Sequence, residues 1–278
     1  MPSQANVVPS RTRTWLSLSI AAVLMAIAGN VIGLSVKSIY STLTPAFFPQ
    51  AIAQDIASLV VVSPLWLILA ILALRGSLRS YLLWLGVLVF TVYNYVIYTF
   101  SVPFGPLFPV WVATLGLSLY ALIGGITSAD PGATAATYTS RRAAKITAWF
   151  LIVAAILFAF LWLSEDVPAL LAGTRPQSVI DMALPTNPVH ILDLSFFLPG
   201  VVMLGIMLLK EKPLGFVLAP AAIVFLILTG IPILITPFVQ SATGEAAGWG
   251  VVAPIGTLTA VSTGLLIWLM GTVRTASS

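Results

Sequence analysis

Residues 56–74 read IASLVVVSPLWLILAILAL, nineteen residues without a charge. As an α-helix rising 1.5 Å per residue, this stretch covers about 28 Å, close to the roughly 30 Å hydrocarbon core of a bilayer. Seven further segments are similarly long and apolar: Trp15–Leu34, Tyr81–Phe100, Leu107–Ile126, Ile146–Leu163, His190–Leu209, Gly215–Ile235 and Val251–Met270. Short alternating segments of the kind that build membrane barrels are absent. The expectation is an all-α polytopic transmembrane helical bundle of eight helices. Residues 15–278 form one transmembrane domain behind a cytoplasmic N-terminal tail, residues 1–14.

Composition agrees. Of 278 residues, 59% are hydrophobic and 7% charged, with a mean hydropathy of +1.08. So few charges cannot cover a folded surface that faces water, which excludes a soluble enzyme, a disordered chain and a fibrous repeat. There is no cysteine, so disulfides, thiolate metal sites and cysteine nucleophiles are excluded together. The net charge of +4 does not signify nucleic acid, because the Lys and Arg residues stand in short groups between apolar segments.

Those groups set an expected orientation. With the N-terminus inside, Arg11, Arg13, Arg75, Arg79, Arg141, Arg142, Lys145, Lys210, Lys212 and Arg274 are cytoplasmic, and only Lys37 and Arg175 lie outside. Ten against two is a strong positive-inside bias and places both termini in the cytoplasm. Trp15, Trp84, Trp149 and Trp268 fall near the inner interface and Trp111, Trp162 and Trp249 near the outer one, as an aromatic belt would. Only Trp66 sits deep. The first span followed by Ala26-Ile27-Ala28 imitates a secretory signal, but its apolar run continues to Leu34 and reads better as an uncleaved helix.

A shift of 135 residues places Pro64 on Pro199, Arg75 on Lys210, Tyr81 on Phe216 and Phe90 on Phe225; Trp15 meets Trp149 at a shift of 134. This suggests two parallel four-helix repeats, residues 15–126 and 146–270, with an insertion in the Phe238–Trp249 loop. Chance alignment of two basic-looped hairpins is the competing explanation. Pro64 and Pro199 would break the second and sixth helices at equivalent places. Gly200 beside Pro199 and Ser63 beside Pro64 would accommodate the disturbed backbone, and such broken helices point to binding sites. An ordinary proline kink is the plain alternative.

Polar residues within the spans are the candidate ligand-binding set. Asp193 lies about one turn inside the sixth span, where a carboxylate must face water, pair or become neutral; His190, three residues earlier, shares its helical face and could share its proton. Helix capping by Asn187 or Asp193 is the structural alternative. On the third span Thr91, Asn94, Tyr95 and Tyr98 make one stripe, with Asn94 at a depth comparable to Asp193; Tyr95 and Tyr98 could instead belong to the outer belt. Asp55, opposite His190 at the repeat shift, would give the same outer cavity a second acidic helix start, or simply favour a helix dipole. Glu165, Asp166, Asp181 and Glu245 are expected in outer loops, leaving the outer face acidic enough to concentrate cations. Gly29 and Gly33, and Gly256, Ala260 and Gly264, have the spacing for close helix contacts. No metalloprotease, nucleophile-elbow, phosphate-loop or dinucleotide motif occurs, and one histidine excludes a bis-histidine haem.

The combination of Tyr93-Asn94-Tyr95, Phe104-Gly105-Pro106-Leu107-Phe108, Asn187-Pro188-Val189-His190-Ile191-Leu192-Asp193-Leu194 and Lys212-Pro213-Leu214-Gly215 resembles a family of uncharacterised prokaryotic multi-pass integral membrane proteins with no established activity. The resemblance runs from the second to the seventh span and implies a prokaryotic cell membrane, with no mechanism attached. The leading functional expectation is transport or binding of a small solute or cation through an outer-facing vestibule. The others are a non-enzymatic scaffold or accessory subunit, and third an intramembrane enzyme using His190 and Asp193. The expected partners are the lipid bilayer, a small solute or cation, and a homo-oligomer or membrane partner. No nucleic acid, cofactor or metal is expected, and no catalytic residue is assigned.

Overall fold

The computed structural model describes residues 12–274, and eight of its helices are long and apolar enough to cross a membrane. They are α1 (Thr12–Ser35), α2 (Phe48–Leu74), α3 (Leu78–Ser101), α4 (Phe108–Ser128), α5 (Arg141–Leu171), α6 (Pro188–Leu209), α7 (Pro213–Thr243) and α8 (Trp249–Gly271). To within one residue, every predicted span lies inside one of them. No strand forms among the described residues, only an isolated bridge between Tyr138 and Val273. The tail through Arg11, with one of the ten basic charges assigned to the inside, lies outside the described residues.

Helix starts follow local chemistry. Ser77, Ser140 and Asn187 accept hydrogen bonds from the first free backbone N–H groups of α3, α5 and α6, so Asn187, not Asp193, caps α6. Three helices overrun the expected boundaries. α2 begins at Phe48, eight residues early; α5 continues to Leu171, which puts Glu165 and Asp166 on a helix, not in a loop; and α7 continues to Thr243, through half of the expected insertion. Apolar runs had marked only the part of each helix that hydrocarbon can cover. Pro232 and Pro237 lie inside α7, where Thr236 donates its hydroxyl to the Pro232 carbonyl at 2.8 Å.

The backbone repeats itself at the same 135-residue shift. A π-helical turn occupies Ser58–Val62 in α2 and Asp193–Phe197 in α6, and α-helix resumes over Ser63–Leu74 and Leu198–Leu209. Arg75 and Lys210 close these helices, Gly76 (φ 92°) and Glu211 (φ 52°) turn left-handed, and the next helices begin at Leu78 and Pro213. Proline explains the π turns. It has no N–H to offer the carbonyl four residues earlier and its ring crowds that carbonyl; a wider turn relieves both. Thus the Ser63 and Leu198 N–H groups reach back five residues, to the Ser58 and Asp193 carbonyls.

α3 and α7 cross at the centre of the bundle through equivalent residues. A Cβ added to Gly86 would stand 2.9 Å from the backbone of Ala221, which lies 135 positions later. The arms around this crossing differ. α1 lies along α4, with Trp15 filling the surface of Gly124 and Val110 that of Gly29, whereas α5 and α8 touch sparsely. In the apolar window of α3 67% of residues are buried; in that of α8 the share is 6%.

One end of the bundle is tied together by its loops. Arg79 donates to the Val273 carbonyl at 2.5 Å, the Thr139 N–H to the Thr272 carbonyl at 3.0 Å and the Tyr138 hydroxyl to the Phe216 carbonyl at 2.8 Å. This end, with the last residues of α8, is the proximal face; the starts of α2, α6 and α8 define the distal one.

Candidate functional site

Between α2, α3, α5, α6, α7 and α8, in the distal half of the bundle, lies a cavity of about 380 Å³. Its wall is mainly apolar. Asp193 is its one acidic residue, and no Lys or Arg lines it. The start of helix α6 places Asp193 in the first residue of the π turn, six residues and nearly two helical turns below the Asn187 cap. Trp162 of α5 donates its indole N–H to Asp193 Oδ2 at 2.8 Å, and the Tyr93 phenol lies beside the same carboxylate. Tyr93 in turn meets Phe197 and Phe225 edge-on, at 4.7 and 5.1 Å between ring centres. These rings give the carboxylate an aromatic surround, while Asn94, Gln50 and Gln54 add the amide groups of the wall.

His190 stacks on the other partner of Asp193. Its ring lies 4.5 Å from that of Trp162, and with Nδ1 carrying the proton it donates to Asp166 at 2.9 Å. Glu165 stands 3.9 Å from Nε2 and also accepts the Ser178 N–H. His190 therefore pairs with the end of α5, and no hydrogen bond joins it to Asp193; the two do not form a dyad. Among the described residues, no group of three or more His, Asp and Glu side chains is disposed to hold a metal ion.

Asp55 is elsewhere. It does not line the cavity as expected, but is sealed at 1% exposure on the far side of α2. Tyr40 donates to Oδ2 and Tyr98 to Oδ1, each at 2.8 Å, and the Tyr98 hydroxyl lies 3.2 Å from the Ala51 carbonyl. Gly33 of α1 abuts this group so closely that a Cβ there would collide with Asp55 and Tyr40. Burial, then the neighbouring carboxylate, raise the Tyr40 phenol above its ordinary value. The carboxylate is held because every approach to it is filled by a donor or by packing.

The remaining candidates divide. Asn94 and Tyr98 line the cavity, while Tyr95 faces a separate void of about 10 Å³ with Ser58, Ser63, Trp66 and Asn94, the size of one water molecule. Neither tyrosine belongs to an aromatic belt, since both are buried. Pro64 and Pro199 are exposed on the outer surface of the bundle and Gly200 borders open space, so they shape the π turns without facing the cavity. Gly29 and Gly33 do make close contacts, but Gly264 of α8 makes none. Two belt tryptophans are interior instead, Trp84 donating to Ser19 at 3.0 Å and Trp111 packing on Tyr98, while the half-buried Trp162 also holds Asp193. Sequence reasoning missed Trp162 and Tyr93 as site residues and Tyr40 as a partner of Asp55. Asn187 followed by Pro188 marks the start of α6, but nothing local reveals which ring of another helix Asp193 meets. Compared with known proteins, the chain matches no family model, no curated protein and no solved structure.

Proposed function

We propose that this integral membrane protein binds, and by extension carries, a small solute with a cationic or hydrogen-bond-donating end, taken up in the distal cavity with Asp193 as its anchor. The observation that supports this reading is a single carboxylate facing an otherwise apolar space of about 380 Å³ with no basic residue in its wall. A pocket of this size suits a small ligand, and an intramembrane carboxylate without a salt-bridge partner is expected to serve one. In this reading the termini are cytoplasmic, the membrane is a prokaryotic cell membrane and the distal face is outward. The two halves, 15–126 and 146–270, are copies of one four-helix unit related by an axis through the α3–α7 crossing.

The test is the thermal stability of the purified chain against a panel of amines, inorganic cations and neutral solutes, beside the D193N variant. A ligand that binds only the folded state at 100 times its Kd adds about 2.7 kcal/mol. The expected outcome is stabilisation by amines in wild type and none in D193N, followed by amine uptake into liposomes. Equal responses in the two proteins would remove Asp193 from any binding role. A second reading, a membrane scaffold or accessory subunit, is favoured by one feature, the scarcely buried α8 with open space at Gly264. It predicts a co-purifying membrane partner lost on substitution of Gly264 by Leu.

A further inference from the structure

The cavity has two kinds of lip. Gln50, at the start of α2, is exposed and lines it on the side of the distal loops. Leu161 of α5 and Val251 of α8 also line it, and they are 53% and 41% exposed on the outer surface of the bundle. These two come from the pair of helices that scarcely touch. Leu161 is 20 residues after Arg141, about 30 Å along α5, and Val251 is 17 residues before Trp268, about 26 Å along α8. Both therefore fall within the thickness of the hydrocarbon core, near its distal boundary. Leu161 and Val251 thus stand between the cavity and acyl chains, and Gln50 between the cavity and the distal loops.

We infer that the ligand is a membrane-dissolved amphiphilic amine, an ammonium head on a single apolar chain, which enters sideways between α5 and α8 and seats its head on Asp193. This rests on the proposed binding role of the cavity and names its ligand class and its route. The chemistry separates head from tail. Lipid tails are as apolar as the wall of Phe158, Leu161, Ile255 and Leu258, so an alkyl chain gains little by leaving one for the other. Selection then falls to the head, and only a cation gains from an acceptor carboxylate amid aromatic faces in a site with no Lys or Arg. Trp162 occupies one of the roughly four lone-pair positions of Asp193, leaving acceptors for an ammonium group. A cavity of about 380 Å³ lies in the range of small-ligand pockets, and a ten-carbon chain is long enough to reach from Asp193 toward Leu161 and Ile255.

The test uses the full chain in nanodiscs of zwitterionic lipid and a decylammonium probe bearing a terminal diazirine, with adducts located by mass spectrometry. Butylammonium, which is water-soluble, and decanol, which lacks the charge, are the competitors. Specific labelling on α5 and α8 around Phe158, Leu161 and Ile255 is expected. It should fall about tenfold in D193N, the loss expected for one charge-assisted hydrogen bond, and resist excess decanol. Leu161→Trp together with Val251→Trp, which narrow the lips, should slow labelling by the long probe severalfold, and labelling at the parent rate would count against this route. Stabilisation by butylammonium that depends on Asp193, with decylammonium adducts unchanged in D193N, would overturn sideways access and keep the binding role. If neither amine responds to D193N, both readings fall.

Discussion

The two halves of the bundle carry the same backbone device with opposite outcomes. Each second helix breaks into a π turn just ahead of a proline, at positions 58–62 and 193–197, and each places a carboxylate at or just before the break. In the first half Asp55 is closed in by Tyr40, Tyr98 and Gly33, and α1 lies tight against α4. In the second half Trp162 holds Asp193, α5 and α8 touch only sparsely, and a cavity remains. The difference teaches that the break by itself makes no site. What decides is whether neighbouring helices supply enough donors and enough side-chain volume to close the space beside the charge.

The hardest blow to this contrast falls on its tightest point. Gly33→Val is expected to cost about 3 kcal/mol or more, the upper range for overpacking, because its Cβ would collide with Asp55 and Tyr40. Gly264→Val, where the same carbon meets nothing, should leave the melting temperature of the monomer unchanged. Next come the carboxylates themselves. Asp55→Leu strips two buried phenols of their acceptor and is expected to cost about 2–4 kcal/mol, whereas Asp193→Leu orphans one indole beside a cavity and should cost about 1 kcal/mol. Equal losses in denaturation would show that the two halves hold their charges alike.

A smaller effect sharpens the contrast by pH. Tyr40 is raised in the folded state, first by burial and then by Asp55, so the unfolded chain releases this proton at lower pH. Its contribution is complete below the ordinary phenol range, near pH 10, and is lost progressively as pH rises above it. Tyr40→Phe should therefore lose about 1.4 kcal/mol less per pH unit in that range than the parent, read from melting temperatures at pH 9 to 11. Burial also raises Tyr138 on the proximal face, so Tyr138→Phe should reduce the alkaline slope too, with the Asp55 group left intact.

The spans were legible because lipid asks one question of each residue, and apolar length answers it. The matched positions Pro64 and Pro199, and Arg75 and Lys210, were legible too, although the π turns beside the prolines leave no further mark in the sequence. The candidate site was legible only as intramembrane polar residues. Asp193 and Asn94 stand out by depth, but the cavity beside them results from how poorly α5 meets α8, which no local pattern encodes. Trp162 and Trp84 illustrate the limit. A tryptophan near a membrane boundary reads as a belt residue, and only its neighbour, Asp193 or Ser19, reveals an interior hydrogen bond.

The 31-residue length of α5 gives the bilayer itself a hand in the site. At about 46 Å the helix exceeds a typical hydrocarbon core by roughly three turns, and Glu165, 24 residues after Arg141, stands about 36 Å along it. In a thin membrane Glu165 and Asp166 stand among headgroups and water, with His190 buried beneath them. Lengthening the acyl chains by a few carbons draws that trio toward oil unless α5 rises more upright, and an upright α5 changes the width of its gap to α8. On the inferred sideways route, membrane thickness would then bear on how readily the cavity is reached.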